Sequence, residues 1–191
     1  MKFSVNQKDL QNALNYCQGV IEKRSTLPIL SNVLVQAKEG NLRITATDLD
    51  LIFIQNISNI EISEEGETTT SCSIMYDIVR KFNNEKKINF QLINENKINL
   101  ESDNSSFNLN CLKASEFPIT DTNFKENEFI LGSKKLLKLL NKCRFSISND
   151  ETRHYLSGIF FHLTDNDNKK FLTTVATDSH RMAISKILLS N

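Results

Sequence analysis

Hydrophobic positions follow a helical period near the N-terminus and a strand period after it. Apolar residues spaced three and four apart predict an amphipathic helix after Asn6, a favourable N-cap, that turns inward Leu10, Ala13, Leu14, Cys17 and Ile21. Apolar and polar residues then alternate, which predicts strands at 33–35, 42–45 and 51–54. Gly40 lies between the first two of these runs, so a hairpin turn is predicted over 38–41.

The same two patterns continue for about eighty residues. A strand is predicted at 68–70, and a second helix near 73–82 is expected to bury Ile74, Ile78, Val79 and Phe82. Alternation returns in three further predicted strands, at 88–92, 97–101 and 106–112. Residues 117–126 lose all periodicity and are predicted to link two domains.

The chain contains an internal repeat. Residues 3–17 and 129–143 align with six identities, which include Leu10 with Leu136, Leu14 with Leu140 and Cys17 with Cys143. The second copy therefore predicts a strand at 128–131 and a helix that begins at Ser133 and turns inward Leu136, Leu137, Leu140 and Cys143. Because nothing in the second copy matches residues beyond 61 of the first, we expect the chain to be a fragment of a longer protein.

Charge is balanced overall but unevenly distributed. Lys and Arg equal Asp and Glu at 23 each, so the net charge does not indicate a nucleic-acid partner. The second-copy helix, however, carries five basic residues and no acid, and Lys134, Lys138 and Lys142 share one of its faces. This face favours phosphate binding, and the alternative is an ordinary solvated helix surface. Arg24, after the first helix, either offsets the helix dipole or reaches a phosphate.

The two copies share Ala-Thr-Asp and then diverge. The shared residues, Thr47-Asp48 and Thr177-Asp178, are predicted to close a strand-end turn through bonds from side chain to backbone. Only the second copy continues with donors and an apolar group that, together with Leu156, suit a peptide side chain and its polar anchor. These residues are Ser179, His180, Arg181 and Met182. The alternative is surface strand residues that bind no ligand.

Neither catalysis nor a cofactor is predicted. Ser179 and His180 are a candidate nucleophile and base for hydrolysis, but neighbouring strand residues point to opposite faces and are not expected to bond. Glycine-rich phosphate loops and nucleophile elbows are missing from the sequence, and Asp48 and Asp50 lack a further metal ligand at suitable spacing. The four dispersed cysteines are predicted to be buried thiols. With no long apolar run and no signal segment, a soluble cytoplasmic protein without a membrane partner is expected.

Three motifs together resemble one known family. Thr-Leu-Pro-Ile-Leu-Ser-Asn at 26–32, Thr-Asp-Leu at 47–49 and Val-Ala-Thr-Asp-Ser-His-Arg at 175–181 are similar to the bacterial DNA polymerase III beta subunits, the sliding clamps. The resemblance covers the whole chain. It implies the α+β DNA-clamp fold, in which each domain packs two helices on antiparallel sheets. Residues 1–122 would be the first clamp domain and 123–191 the first half of the second, with the third domain absent from this chain.

The resemblance also implies site residues by position. Arg24 and the aromatic positions His154 and Tyr155 match contacts to DNA, although Asp150 places an acid where a neutral amide occurs in the family. The pocket for partner peptides matches Leu156, Thr177, His180 and Arg181, with Met182 where leucine is common and Ser179 where glycine often lies. Phe107 and Leu109 match the strand that meets the other subunit.

A function follows from the resemblance as an expectation. Two subunits would close head to tail into a homodimeric ring around double-stranded DNA, as a non-catalytic processivity factor in DNA replication. The polymerase III alpha subunit, the clamp loader and repair polymerases would dock short peptides in the pocket. The alternative is a non-encircling nucleic-acid or peptide-binding module, whose DNA binding would fall steeply with salt and would not depend on DNA ends.

Overall fold

The computed structural model describes residues 1–22, 26–83, 85–118, 130–166 and 169–189. The chain divides into two compact units, Met1–Asp121 and Thr122–Asn191. Most of the predicted linker lies outside the described residues, as do Arg24 and the first half of the strand predicted at 128–131. The second half of that strand prediction was wrong, because residues 130–131 are not in a strand. Within that part of the chain, no helix is long and apolar enough to cross a bilayer.

The described residues of the first unit form two helices and nine strands. The helices are α1 (Gln7–Cys17) and α2 (Cys72–Val79). The strands are β1 (Lys2–Asn6), β2 (Asn32–Lys38), β3 (Asn41–Thr47), β4 (Ile52–Ser58), β5 (Glu61–Glu64), β6 (Gly66–Ser71), β7 (Lys87–Asn94), β8 (Lys97–Ser102) and β9 (Ser105–Leu112). Short 3₁₀ turns cover Pro28–Ser31 and Ala114–Glu116. All strands predicted for this unit are therefore confirmed.

One antiparallel sheet joins all nine strands in the order β4-β3-β2-β6-β9-β8-β7-β1-β5. The predicted hairpin turn joins β2 to β3, and both of its central residues, Glu39 and Gly40, have positive φ, at 51° and 72°. The helices pack on each other and on the strands. Gln7 at the start of α1 donates through Nε2 to the backbone oxygen of Val79, 2.8 Å away at the end of α2, which fixes the two helices to each other.

The core of this unit matches most of the hydrophobic pattern. Four residues of α1 are at most 2% exposed, as their spacing predicted: Leu10, Ala13, Leu14 and Cys17. The prediction for α2 was wrong at Ile74, which is 56% exposed, whereas Met75 is fully buried in its place. The strand β5 was not predicted, because its sequence Glu-Ile-Ser-Glu is rich in acids that are uncommon in strands. It pairs with β1 at the edge of the sheet.

The second unit repeats the start of the first. Helix α3 (Ser133–Cys143) packs on an antiparallel sheet of β10 (Phe160–Asn166), β11 (Lys169–Thr177) and β12 (Met182–Leu188). Short 3₁₀ turns cover Arg144–Ser146 and Glu151–Leu156 between helix and sheet. The order of helix and strands matches that of α1, β2, β3 and β4, so the predicted repeat is confirmed for these elements.

The buried face of α3 differs from its prediction. Cys143 and Leu139 are fully buried, but Leu136 and Leu137 are 37% and 58% exposed. The reason is that, among the described residues of its unit, α3 packs mainly on β11, β12 and the turn after it, which cover one side of the helix. The four cysteines of the chain are buried, unpaired thiols, as predicted.

Candidate functional site

The two Thr-Asp turns have the same hydrogen bonds, as the repeat predicted. In the first unit Thr47 Oγ1 accepts from the backbone N–H of Leu49 at 3.0 Å, and Asp48 Oδ1 accepts from those of the next two residues at 3.0 and 2.7 Å. In the second unit Thr177 Oγ1 accepts from the N–H of Ser179 at 3.2 Å, and Asp178 Oδ1 accepts from the next two at 3.0 and 2.9 Å. The shared residues therefore build the turn.

The residue after each Asp adopts a left-handed backbone conformation. Leu49 has a φ of 84° and Ser179 a φ of 78°, in a region of backbone conformation that residues other than glycine rarely adopt. This conformation lets the backbone reverse before β4 and β12. It also explains on physical grounds why glycine suits the position that Ser179 occupies.

The residues that distinguish the second turn project from its surface. Ser179 and His180 lie in the turn itself, not in a strand. The argument that they cannot bond because neighbouring strand residues point to opposite faces was therefore wrong. Ser179 Oγ instead accepts a hydrogen bond from Arg153 Nη1 at 2.9 Å. Met182, the first residue of β12, is 64% exposed. An exposed apolar residue thus directly follows His180 and Arg181 along the chain, and the peptide pocket stays a prediction.

Arg181 is held in place from two sides. Its Nε donates to Asp178 Oδ2 at 2.9 Å, and its guanidinium lies 5.8 Å from the ring centroid of Phe145, which is 57% exposed. Hydrogen bonds from the backbone N–H groups of Arg181 and His180 lower the pKa of Asp178 from its usual 3.8 to about 2. Asp178 is therefore ionised at neutral pH, and its Oδ2 fixes the Nε side of a guanidinium group that belongs to an exposed side chain.

The segment 150–156 lies next to this turn. Asp150 accepts from the hydroxyl and the backbone N–H of Thr152 and from Arg153 Nε, and these bonds lower the pKa of Asp150. Arg153 Nε lies 2.8 Å from Asp150 Oδ2, so the charge of the acid at this position is offset by an arginine three residues later. His154 and Tyr155 are exposed, and their rings pack edge to face with centroids 6.1 Å apart.

The lysine face of α3 is open to solvent. Lys134, Lys138 and Lys142 are exposed, and among the described residues none has a carboxylate within ion-pair distance. Lys134 and Lys135 lie in the first turn, where the helix dipole disfavours positive charge, and Gly132 provides no side-chain cap. Helix α1 instead has Asp9 in its first turn. Lys142 lies in the last turn, where the dipole favours positive charge, and the binding role of this face stays a prediction.

The residues predicted to meet another subunit lie on β9. This strand pairs with β8 along its length but with β6 only at Cys111 and Leu112, so the other edge of its N-terminal half has no backbone partner among the described residues. Phe107 is 42% exposed and packs edge to face on Phe82, whereas Leu109 is only 5% exposed. Leu109 and Ile74 line a cavity of about 310 Å³ beside this edge.

Sequence reasoning missed two residues of the second-unit site. Arg153 connects the segment 150–156 to the turn at 177–182, and Phe145 supports the Arg181 guanidinium. Neither lies in a repeated or periodic stretch, so no pattern marked them. The predicted residues from Leu156 to Met182 all lie in this unit, and the backbone oxygen of Leu156 accepts from the N–H of Ser148, which follows the short turn after α3, at 3.0 Å.

Comparisons with known proteins agree on one family. Residues 1–121 match the family described as DNA polymerase III beta subunit, N-terminal domain, and residues 130–191 match the central domain of the same subunit. The Beta sliding clamp of Caulobacter vibrioides is 33% identical over 188 residues, which are 98% of this chain and 50% of that relative.

Solved structures give the same result. Caulobacter crescentus pol III beta superposes with a TM-score of 0.93 and 32% identity, over 100% of this chain and 52% of that one. The DnaN sliding clamp of Bartonella birtlesii bound to griselimycin has a TM-score of 0.92 and 36% identity, over 98% of this chain and 50% of that one. The chain thus spans about half the length of the relatives it matches.

Proposed function

The chain belongs to the DNA polymerase III beta subunit family, and from this premise we propose that it contributes to a sliding clamp, a ring that encircles double-stranded DNA and gives a polymerase its processivity. In this proposal residues 1–122 are the first clamp domain and 123–191 begin the second. The longer protein that contains them, called the full-length subunit below, also carries a third domain.

The lysine face of α3 is the observation that carries the proposal. Lys134, Lys138 and Lys142 present three exposed charges along one helix, and the first of them opposes the helix dipole. Contacts of this kind attract the phosphate backbone without reading bases, because they recognise only charge and spacing. Weak, sequence-independent contacts suit a ring that must slide, since the closed topology, not the affinity, prevents escape.

The exposed aromatic pair adds a second contact to DNA in this proposal. His154 and Tyr155 protrude from the segment 150–156, where Arg153 offsets the charge of Asp150. Arg24, which lies outside the described residues, is proposed to reach a phosphate from the first unit.

The second-unit turn is proposed to bind partner peptides. Leu156 and Met182 offer apolar surface, while Thr177, Ser179, His180 and Arg181 offer polar anchors around it. The polymerase III alpha subunit, the clamp loader and repair polymerases would dock here in turn. Because a Bartonella birtlesii relative has been solved bound to griselimycin, we propose that this chain also binds that compound at this turn.

The open edge of β9 is proposed to close the ring. Unpaired backbone groups at a sheet edge accept a strand from another chain, and Phe107 provides an exposed ring beside them. Leu109 would act by shaping the cavity below this edge, since its side chain is buried. Two full-length subunits would then form a homodimer, without catalytic activity, at the DNA in the cytoplasm.

Retention on circular DNA tests the proposal. The full-length subunit is loaded with its clamp loader on closed circular duplex DNA, and the bound fraction is followed at moderate salt before and after the circle is cut once. We expect a stable complex on the circle and rapid loss after cutting. Equal loss from the closed and the cut circle would refute encirclement and favour the non-encircling module, whose binding depends on salt alone.

A further inference from the structure

A single arginine connects the two proposed binding surfaces of the second unit. Arg153 donates through Nε to Asp150 Oδ2 at 2.8 Å and through Nη1 to Ser179 Oγ at 2.9 Å. The first bond lies within the segment that carries His154 and Tyr155, and the second reaches the turn that carries Arg181. One rigid guanidinium fork thus spans both surfaces.

The acceptor on the turn is a feature that the first unit lacks. Ser179 and Leu49 occupy equivalent positions with φ of 78° and 84°, so both turns hold a strained residue. Leu49 has no side-chain hydrogen-bonding group, and its side chain is 54% exposed. Ser179 has the same backbone conformation but supplies a hydroxyl that Arg153 uses. The serine is therefore explained by its bond and not by the turn.

Without this bond the segment 150–156 has few restraints. It is a 3₁₀ stretch with a kink at Arg153, where φ is −113° and ψ is 52°, and none of its residues is buried. Its remaining bonds are local, except for that between the Leu156 oxygen and the N–H of Ser148. A segment with little buried apolar surface opens easily, so one additional bond to a neighbouring element changes its stability markedly.

We propose that Arg153 is a positioning residue that, through Ser179, couples the DNA-facing segment 150–156 to the peptide-facing turn 177–182. A ligand that fixes the turn then orders His154 and Tyr155, and loss of the bond uncouples the two. The coupling rests on the proposed function for the identity of the two ligands. The bond itself does not, because both of its partners belong to this chain.

Hydrogen exchange of the full-length subunit tests the proposal in two steps. In the free protein, Ser179→Ala removes the acceptor, and we expect the amides of residues 150–157 to exchange roughly three- to tenfold faster. Arg153→Lys should act in the same direction, because one ammonium group does not reproduce a fork that serves two acceptors. Leu49→Ala, at the equivalent position of the first turn, is the matched control and should leave this segment unchanged. Unaltered exchange in both second-unit variants would overturn the proposal.

Griselimycin then tests the coupling itself. In the wild-type subunit we expect it to slow exchange in the turn and also in the segment 150–157. In Arg153→Lys, which changes no residue of the proposed pocket, the turn should still be protected, whereas the segment should no longer respond; a merely structural role would not remove that response. Equal protection of the segment in both proteins would overturn the coupling. Failure of griselimycin to protect the wild-type turn would instead contradict the proposed peptide site and leave the bond to be judged on the first step.

Discussion

The second unit repeats the order of α1, β2, β3 and β4, but among the described residues only the helix of the first unit is enclosed. Leu10 and Leu14 of α1 are 2% and 0% exposed, because α2 and the strands of the large sheet surround them. Their counterparts on α3 are less covered: Leu136 is 37% exposed, and Leu140 is half-buried. An apolar stripe therefore predicts where a helix can be covered, while the neighbouring elements decide whether it is.

Comparison of the two units also separates the residues that build the turn from the residues proposed to bind ligands. Both contain the Thr-Asp turn with the same hydrogen bonds, and both hold a left-handed residue after it. Only the second adds the Arg181 guanidinium, the bond from Arg153 to Ser179 and an acid-free lysine helix. In the proposed clamp, the shared turn has a structural role and the features added to the second unit bind ligands. The following substitutions compare the two copies directly.

Truncation of the enclosed helix should have the strongest consequence. Leu14→Ala removes a fully buried side chain, and we expect it to lower the free energy of unfolding of the first unit by about 3 kcal/mol. Leu140→Ala, at the equivalent position of α3, should cost the second unit no more than about half of that, because the side chain is only half-buried. Urea unfolding of the chain followed by circular dichroism measures both. Equal losses would mean that the two helices are enclosed alike.

The lysine face should control DNA affinity. Replacing Lys134, Lys138 and Lys142 by Gln should weaken binding of the full-length subunit to a DNA duplex at least tenfold, and lower the salt dependence by up to about 0.9 for each phosphate that the helix no longer binds. A control with the same charge change replaces three exposed lysines of the first-unit strands and loops, Lys38, Lys97 and Lys113. Titration at several salt concentrations compares the two. An equal decrease in the control would indicate that only net charge matters.

Arg181 should matter for peptide binding where its counterpart does not. We expect Arg181→Ala to weaken griselimycin binding about tenfold, which corresponds to roughly 1.4 kcal/mol, because an oriented charged donor is removed. Leu51→Ala changes the equivalent position of the first turn and should leave the affinity unaltered. Calorimetric titration of the full-length subunit measures both. Wild-type affinity of Arg181→Ala would remove this residue from the proposed pocket.

Relief of the left-handed strain should distinguish the turns by a small amount. Leu49→Gly should stabilise the first unit by about 0.5–1 kcal/mol, because the backbone strain that it releases exceeds the conformational entropy that glycine adds to the unfolded chain. Ser179→Gly should gain less, since it also loses the bond from Arg153. The difference in urea midpoint between each variant and the wild type gives the two values. A larger gain for Ser179→Gly would contradict the role assigned to its hydroxyl.

Acid stability of the second turn should change least. The pKa of Asp178 is lowered in the folded chain to about 2 from its usual 3.8, so ionised Asp178 stabilises the turn above about pH 4. This contribution is lost as the pH falls from about 4 toward 2, while Asp178→Asn should show a flatter profile in that range. Amide chemical shifts of His180 and Arg181 followed between pH 5 and 2 report it. A midpoint near 3.8 would contradict the hydrogen bonds assigned to the carboxylate.

Local pattern was enough to predict most of the fold. The alternation in β2, β3 and β4, the glycine turn at Gly40 and the Thr-Asp turns follow from short-range rules, because each residue's role there depends on its sequence neighbours. Strand β5 was missed because pairing with β1 at a sheet edge, not composition, makes it a strand. Ile74 was misplaced because a helix as short as α2 gives few turns from which to read its inward face.

The candidate site was less accessible to sequence reasoning. The repeat separated the shared Thr-Asp residues from Ser179 to Met182, and the spacing of the lysines placed them on one face. Arg153 and Phe145 have no such signal, because their roles arise where the segment after α3 approaches a turn more than twenty residues later in the chain. Such contacts depend on the tertiary fold.

The reactivity of lysines toward acetylation, measured on the subunit loaded on DNA, shows whether α3 faces the duplex inside a closed ring. The full-length subunit is loaded on closed circular duplex DNA, acetylated briefly, and compared by mass spectrometry with the free subunit. We predict that Lys134, Lys138 and Lys142 become protected, that Lys38, Lys97 and Lys113 keep their reactivity, and that protection disappears once the circle is cut. Unchanged reactivity of the three α3 lysines on the closed circle would contradict the proposed clamp, because the helix would then not face the DNA.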